Sequence, residues 1–410
     1  MVVKVGVPIN LMLGERGRFI GLHYFTIRLI ENVSRVCRDV VFCLISPYGV
    51  CDVSFRDFVG VDAEEFFKRV VKYHYNNFEM DFKVRFSKAL ALNFSEMMKV
   101  ISSLDVLHVS SPFLAEYMLL LRVLMDGKLN LPVLLTFHDL APLIIPQCYS
   151  IFERTRWVYW KKFTGLMIKN VSKFRLFTAV SKNTKRDVVN FFNVDPIRII
   201  VTYPGVESNF KLLTYRRARE LLENVYGIPV GLEYFLYVGA DYPRKNLRKL
   251  ISAFLFFKKN LLRKDWVKLM IVGRISEKTK QCIQKSAVLR DELMVIPDVE
   301  RRHLNAFYAG AIATCYLSLY EGFGLPVLEA MASGSPVIAS NRASIPEVVG
   351  NSGILVDPVN IKGIALAMAT IYNDEELRQN LIKRGLKRVK KFDWRETAQK
   401  FVKIYKLMAS

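Results

Sequence analysis

The stretch "YLSLYEGFGLPVLEAMASGSPVIAS", residues 316–340, has the order of a strand, a glycine-rich turn, a helix and a second strand. Pro326 near the first helical position and Gly334 after the last are typical of the two ends of a helix. A strand, a helix and a strand in this order form a parallel pair in an α/β sheet. The turn "YEGFG" follows the carboxyl end of its strand, which is where such sheets bind ligands.

Apolar strand-like runs alternate with helical patterns along the whole chain, which predicts an α/β protein with two doubly wound parallel sheets. The polar stretch at residues 214–233 separates one series of runs from the next and contains a Gly/Pro turn. A chain of 410 residues suits two domains. We therefore predict an amino-terminal Rossmann-like domain over residues 1–210 and a second one over residues 211–390.

The formal net charge of +22 indicates an anionic partner, which could be a nucleic acid, an acidic membrane face or a phosphorylated ligand. The excess is concentrated in two segments. Residues 151–200 contain 11 Lys/Arg and 3 Asp/Glu, and residues 381–410 contain 10 and 2. Either segment can also be an ordinary solvated surface, because charge runs usually are.

The six cysteines have no C-x-x-C spacing and are expected to be reduced core residues. The first residues, "MVVKVGVPIN", resemble a strand rather than a leader, and no run reaches the ~18 apolar residues of a membrane span. We expect a cytoplasmic protein that can bind peripherally to the inner face of the membrane.

Arg244 and Lys245 follow the apolar run "FLYVGA", at the point where a helix is predicted to begin. A helix start presents free N–H groups, so two cations there suit a diphosphate. Glu329 falls about one turn into the helix of the opening stretch, where it can accept hydrogen bonds from a ribose diol. Glu321, in the preceding turn, can reach sugar hydroxyls. An ordinary surface "RK" pair and a merely structural pair of glutamates remain the alternatives.

Several segments together resemble retaining glycosyltransferases of family 4, which have the two-domain GT-B fold. The family's Glu, seven residues, Glu pattern in a Glu-Gly-Phe-Gly-Leu-Pro setting is complete here. "YVGADYPRKNLRKL" resembles the family's diphosphate-binding loop, and "VLLTFHDLAPLIIP" its amino-terminal "HD" segment. "AVSKNTKRDV" and "VTYPGVESNF" are similar to two further family segments. The resemblance covers residues 130–400, approximately.

The resemblance implies a role for each site residue. Arg244 and Lys245 would neutralise the donor's diphosphate as it leaves. Glu329 would hold the ribose, and Glu321 a hydroxyl of the transferred sugar. His138 would contact that sugar from across the cleft, although a histidine on a buried strand is more often a satisfied core residue. The donor would also touch the backbone at Gly322, Phe323, Gly324, Leu325 and Gly239.

The resemblance also implies retention of anomeric configuration without a metal ion or other cofactor. A helix N-terminus and cationic side chains would take the metal's place. The base and the sugar stay undetermined, and residues near Pro297–Val299 and Gly273–Arg274 are candidates for their pocket. Related enzymes carry a "GG-x-GR" loop before the first helix, whereas this chain has "LGERGRFIGLHYF". Gly21 is the preferred equivalent, with Gly17 the alternative.

The acceptor is the least determined part of the prediction, because we recognise no motif in residues 50–130. Residues 151–174 mix aromatic and basic side chains that could lie on an anionic membrane. A basic helix at about residues 391–410 is expected to pack back on the first domain. A lipid-linked or other glycan acceptor then becomes the favoured expectation.

Two other functions are compatible with parts of the sequence. One is a GT-B nucleotide-sugar epimerase, which shares the fold. The other is a non-catalytic basic protein that binds nucleic acid or membrane, although no nucleic-acid module is recognisable and nucleic acid is an unlikely partner. A dehydrogenase is disfavoured because no predicted strand is followed by G-x-G-x-x-G.

Overall fold

The fold was obtained as a computed structural model. It describes residues 2–8, 21–46, 49–53, 101–110, 131–150, 158, 161–162, 164–165, 176–262 and 266–410. Three predictions fall wholly or mostly outside these residues. They concern Gly17, the acceptor region at residues 50–130 and the aromatic and basic segment at residues 151–174.

The chain divides into two compact units. The first contains Met1–Leu140, Thr155–Gly205 and Trp394–Ser410, and the second contains Ala141–Arg154 and Val206–Asp393. Each unit has its own mostly or wholly parallel sheet with helices between the strands, so the predicted α/β fold class is confirmed.

The sheet of the first unit has the strand order β3-β2-β1-β4-β5-β6-β7. All of its neighbouring strands are parallel except β3, which runs antiparallel to β2 at the edge. The central strands are short runs, mostly of Val, Leu and Phe, that are buried on both faces, as parallel strands covered by helices must be. The strands are β1 (Val3–Pro8), β2 (Val40–Ser46), β3 (Gly49–Val53), β4 (Val106–Val109), β5 (Val133–Phe137), β6 (Leu176–Ala179) and β7 (Ile199–Val201).

Three described helices belong to this unit: α1 (Gly21–Val36), α3 (Lys182–Phe192) and α13 (Trp394–Ala409). The last of these, α13, comes from the end of the chain and packs on α1, β1 and β4. One face of α13 is apolar and buried, while Lys400 and Lys403 are exposed on the other. Gly205 lies so close to Trp394 that an added Cβ would be 2.3 Å from its backbone nitrogen. Only glycine permits that approach.

A chain of buried polar side chains ties α13 to the sheet. His108 on β4 contacts the Tyr405 hydroxyl through Nδ1 at 2.7 Å and Thr136 Oγ1 through Nε2, also at 2.7 Å. Burial, with a smaller contribution from the nearby His138, lowers the pKa of His108 to about 3. The imidazole is therefore neutral at physiological pH, with both ring nitrogens satisfied.

The second unit has a six-stranded, entirely parallel sheet with the order β10-β9-β8-β11-β12-β13. Its strands are β8 (Tyr234–Val238), β9 (Lys268–Val272), β10 (Leu293–Ile296), β11 (Ala313–Tyr316), β12 (Val337–Ser340) and β13 (Ile354–Val356). Its helices are α2 (Ala141–Ile144), α4 (Tyr215–Tyr226), α5 (Leu247–Asn260), α6 (Glu277–Lys285), α7 (Ala287–Glu292), α8 (Leu304–Ala309), α9 (Leu325–Ala332), α10 (Ile345–Val349), α11 (Ile361–Asn373) and α12 (Glu375–Val389).

The polar stretch at residues 214–233 forms α4 and the turn after it. Thr214 accepts a hydrogen bond from the Arg217 amide as N-cap, and Gly227 ends the helix at φ 66°. The chain passes from the first unit to the second at Gly205–Val206, ahead of this helix.

The described cysteines are free thiols, as expected. Cys43 and Cys315 are buried, whereas Cys282 is exposed on α6, so the prediction of a core position is wrong for Cys282. Among the helices of the described residues, none combines the length and apolarity that crossing a membrane requires.

Candidate functional site

The predicted site loops leave the second sheet at the place where its strand order reverses. From β8 the chain winds outward through β9 and β10, and it returns to place β11 on the other side of β8. Residues Ala313 and Thr314 of β11 pair with Phe235 and Leu236 of β8. The loops after these two strands therefore emerge side by side, and a crevice at such a reversal is the usual ligand site of an open α/β sheet.

The loop after β8 carries the two predicted cations. Gly239 begins it with φ +147°, a conformation that favours glycine. Arg244 and Lys245 lie in a 3₁₀ turn, Pro243–Lys245, that directly precedes α5. Asn246 at φ 61° closes the turn, and its Nδ2 donates to the carbonyl oxygens of Leu317 (3.1 Å) and Pro358 (2.7 Å). These hydrogen bonds connect the loop to the segments that follow β11 and β13.

Glu321 brings both cations together. Its Oε2 lies 2.8 Å from Arg244 Nη1, and its Oε1 lies 2.7 Å from Lys245 Nζ. Burial alone would raise the pKa of Glu321, but the charges of Lys245 and Arg244 lower it to about 2. Glu321 is therefore ionised at every physiological pH, and the three side chains form one buried charge cluster with a single excess positive charge.

Tyr316, the last residue of β11, was not predicted as part of this cluster. Its hydroxyl oxygen accepts a hydrogen bond from Lys245 Nζ at 2.6 Å, and the same ammonium lies 4.8 Å from the ring centroid. The sequence places Tyr316 at a strand end, which was the available signal. The hydroxyl fixes where the ammonium points.

A serine side chain stabilises the backbone of the glycine-rich turn. Ser344 Oγ donates to the carbonyl oxygens of Glu321 (2.9 Å) and Phe323 (2.8 Å). Gly324 adopts φ +108°, and a Cβ there would lie 2.6 Å from Ile345 Cδ1, so the position requires glycine. Gly322 and Phe323 are buried. Helix α9 begins at the next residue, Leu325, as predicted.

Glu329 lies in α9, about one turn from its start, and both of its carboxylate oxygens are engaged. Oε1 accepts a hydrogen bond from Arg301 Nη2 at 2.7 Å, and Oε2 accepts one from the Tyr308 hydroxyl at 3.0 Å. Arg301 also donates from Nε to Glu207 Oε1 at 2.6 Å and from Nη2 to the same oxygen. The sequence analysis missed Arg301, Tyr308 and Glu207. Glu207 lies in the family-like segment "VTYPGVESNF" but was given no role, and no motif or periodicity distinguished Arg301 and Tyr308.

The candidate base-pocket residues lie at the carboxyl ends of the neighbouring strands. Gly273, after β9, adopts φ +128°, and a Cβ there would lie 2.3 Å from the Gly239 carbonyl oxygen. The two loops therefore pack backbone against backbone. Beyond them, Arg274 Nη2 lies 3.5 Å from Asp298 Oδ1.

His138 and Gly21 belong to the first unit, so they are described separately from the residues above. His138 follows β5 and is half-buried, and its Nε2 donates to the Ser110 carbonyl oxygen at 2.8 Å. Burial lowers the pKa of His138 to about 4, although that hydrogen bond acts in the opposite direction. The ring is neutral at physiological pH, with its proton on Nε2. Gly21 is the first residue of α1.

A metal site was not expected. In the part of the chain that the structure describes, no group of three or more His, Cys, Asp or Glu side chains is placed to hold a metal ion. The independence from metal stays a prediction.

Comparison with known proteins covers both units. Residues 218–388 match the family model described as Glycosyl transferases group 1, and residues 51–210 match that described as Glycosyltransferase Family 4. The O-antigen chain mannosyltransferase B of Escherichia coli is 30% identical over 278 residues, which are 67% of this chain and 70% of that protein.

Solved structures are similar over nearly the full length. Sucrose-phosphate synthase from Thermosynechococcus elongatus has a TM-score of 0.72 at 18% identity, with 99% of each chain covered. Anabaena HepE, solved with UDP and glucose, has a TM-score of 0.68 at 16% identity, with 98% of this chain and 99% of that chain covered. At these identities the likeness shows a shared fold.

Proposed function

This chain belongs to glycosyltransferase family 4 and has the GT-B fold, and we propose that it transfers a hexosyl unit from a UDP- or GDP-sugar to a glycan or lipid-linked acceptor. The observation that carries the proposal is the cluster of Arg244, Lys245 and Glu321 at the reversal of strand order in the second sheet. Two fixed cations at this place suit the diphosphate of a nucleotide sugar.

The proposed reaction retains the anomeric configuration and needs no metal ion. The bond between the sugar's anomeric carbon and the diphosphate oxygen breaks, and its electron pair goes to the diphosphate. An acceptor hydroxyl attacks the anomeric carbon from the same face and gives its proton to the leaving phosphate oxygen. Arg244 and Lys245 stabilise the negative charge that builds up there, more strongly in the transition state than in the bound donor.

Glu329 is proposed to hold the ribose hydroxyls, and Glu321 a hydroxyl of the transferred sugar. His138 is proposed to contact the same sugar. In its neutral form His138 offers the Nδ1 lone pair as a hydrogen-bond acceptor, because Nε2 carries the proton. Backbone groups are also proposed to contact the donor. In the second unit they belong to Gly322, Phe323, Gly324, Leu325 and Gly239. In the first unit they belong to Gly21.

Mannose is the first sugar to test, because the 30% identical relative from E. coli is an O-antigen chain mannosyltransferase. Because that relative's name refers to the O-antigen chain, it also supports a glycan as the acceptor class. A similar protein, HepE, was solved with UDP and glucose, so UDP-glucose is the second donor to test.

We also propose that the protein works in the cytoplasm, in peripheral contact with anionic lipid. Residues 377–392 contain no Asp or Glu. The exposed cations of this stretch are Lys383, Arg384, Lys387, Lys390 and Lys391. Such a surface attracts anionic headgroups. Co-sedimentation with phosphatidylglycerol vesicles but not with phosphatidylcholine vesicles, weakened by salt, would support the contact. Equal binding to both, or to neither, would oppose it.

The test of transfer is a mass-spectrometric screen for UDP or GDP release from a panel of UDP- and GDP-sugars. Glu329→Ala and Lys245→Ala are expected to abolish most of the release. Their matched controls are Glu376→Ala and Lys259→Ala, which alter exposed residues on α12 and α5 and should leave release unchanged. The panel is run with and without lipid-linked oligosaccharide, since a transferase can require its acceptor.

Two other outcomes of these measurements would support the alternative functions. Appearance of an epimerised sugar with free nucleotide, independent of acceptor, would indicate an epimerase. Absence of both release and nucleotide binding, together with strongly salt-dependent DNA binding, would indicate a nucleic-acid-binding protein.

A further inference from the structure

We propose that Arg301 is a positioning residue for the donor: it fixes the carboxylate of Glu329 toward the ribose, and Glu207 in turn fixes Arg301. This inference rests on the proposed function, because it assumes that Glu329 holds the ribose. The resemblance to the family assigned no role to Arg301 or Glu207.

The Glu329 carboxylate is held at both ends. Arg301 Nη2 donates to one oxygen at 2.7 Å, and the Tyr308 hydroxyl donates to the other at 3.0 Å. The terminal torsion of a glutamate is otherwise broad, with no strong preference for one carboxylate plane. Two donors in fixed places select one plane and leave each oxygen a further lone pair for a hydroxyl. A preoriented acceptor of this kind lowers the cost of ordering when ligand binds.

Arg301 is itself held by a second carboxylate. Its Nε and Nη2 both donate to Glu207 Oε1, and its guanidinium lies 5.2 Å from the centroid of the Phe210 ring. A planar guanidinium has several N–H groups in fixed directions, so it can donate to both glutamates at once, here from Nε and Nη2 to Glu207 and from Nη2 to Glu329. A lysine ammonium is a single point of charge and cannot reproduce that geometry. Glu207 therefore positions Arg301, and Arg301 positions Glu329.

The charges of this group are unbalanced. Two carboxylates share one guanidinium, and their side chains are only 7% (Glu207) and 6% (Glu329) exposed, against 33% for Arg301. Burial raises the pKa of Glu207 to about 7, with Arg301 opposing the rise and Glu329 adding to it. Arg301 and Glu329 are the charged groups that face Glu207. Near neutral pH Glu207 therefore takes up a proton, which weakens its hold on Arg301.

The test is the donor KM and kcat of Arg301→Lys and Glu207→Gln across pH 6–8. Removing charge-assisted hydrogen bonds of this type should raise the donor KM about tenfold for Arg301→Lys, with a smaller change in kcat. For the wild type, the donor KM should rise as the pH falls from 8 to 6. Glu207→Gln should have the raised KM at every pH in this range, because glutamine resembles the protonated glutamate.

The controls are neighbours that lack the Glu329 contact. Arg302 pairs with Glu300, and both side chains are mostly exposed, at 72% and 62%. Arg302→Lys and Glu300→Gln should behave as wild type. Thermal unfolding of each variant shows whether a kinetic change reflects loss of fold; if Arg301→Lys is unstable, the pH profile of Glu207→Gln still decides.

The possible results separate the two proposals. If the wild type turns over donor, Glu329→Ala does not, and Arg301→Lys and Glu207→Gln match the wild type at every pH, the positioning role is overturned while the transferase function stands. If no nucleotide or nucleotide sugar binds to the wild type, the proposed function falls and the positioning role falls with it.

Discussion

Replacing Glu321 with glutamine removes the charge that holds Arg244 and Lys245 beside each other. Those cations lower the pKa of Glu321 to about 2, against an ordinary value of 4.5. Each pKa unit corresponds to ~1.4 kcal/mol, so the ionised carboxylate contributes on the order of 3 kcal/mol to stability. Because the folded-state pKa is lowered, this contribution is present above pH 4.5 and is lost as the pH falls toward 2.

The assay is thermal unfolding of the ligand-free protein at pH 7. For a unit of this size, 1 kcal/mol shifts Tm by roughly 2–4 °C, so Glu321→Gln should lower Tm by roughly 6–12 °C. Glu376→Gln is the matched control, because Glu376 is exposed on α12. Its Tm should stay within about 2 °C of the wild type. The difference in Tm between Glu321→Gln and the wild type should become smaller as the pH is lowered below 4.5.

A second arm of the same experiment tests why the Tm of Glu321→Gln is lower than that of the wild type. Pyrophosphate should raise the Tm of Glu321→Gln more than that of the wild type, because the added anion takes the place of the missing carboxylate between Arg244 and Lys245. Equal Tm values for Glu321→Gln and the wild type at pH 7 would refute the reasoning from the ion pairs. An equal effect of pyrophosphate on both proteins would refute the link between those cations and anion binding.

Three further substitutions test the packing. Gly324→Ala should cost on the order of 1–3 kcal/mol and weaken nucleotide binding in calorimetry, because its Cβ would meet Ile345 in a backbone conformation that favours glycine. Gly205→Ala should cost a similar amount in thermal unfolding without changing nucleotide affinity, because its Cβ would meet the Trp394 backbone within the first unit. Arg219→Met should leave stability within about 1 kcal/mol of the wild type or increase it, because Arg219 is fully buried and two of its nitrogens lack hydrogen-bond partners.

The sequence predicted those site residues that follow directly from a strand, a loop and a helix in order. Arg244 and Lys245 were identified because they come after a buried strand, and Glu329 because a helix start could be placed at Leu325. The parallel arrangement then brings the loops together, since β8 and β11 are neighbours. The order of strand, loop and helix along the chain was sufficient to select these residues as candidates.

Contacts between distant parts of the chain could not be predicted in this way. Arg301 and Glu207 are 94 positions apart. Glu207 lies in the family-like segment "VTYPGVESNF", but nothing in that segment indicates Arg301 as its partner. The sequence analysis also gave Glu321 and the two cations separate roles, whereas the fold pairs them directly. Both omissions concern charges that neutralise each other across loops, and only the three-dimensional arrangement specifies such partners.

Glu321 and Glu329, the two glutamates of the family pattern, have different sets of charged partners. Glu321 faces two cations and leaves an excess of positive charge, whereas Glu329 shares one cation with Glu207 and leaves an excess of negative charge. A nucleotide sugar has the complementary order, with an anionic diphosphate beside a neutral ribose whose hydroxyls donate hydrogen bonds. The excess positive charge at Glu321 suits the diphosphate, which gains charge as the sugar leaves, and the fixed acceptors at Glu329 suit the ribose. Under the proposed function, this distribution of charge along the pattern favours one direction of the donor, with the diphosphate at the end of β8 and the ribose at α9.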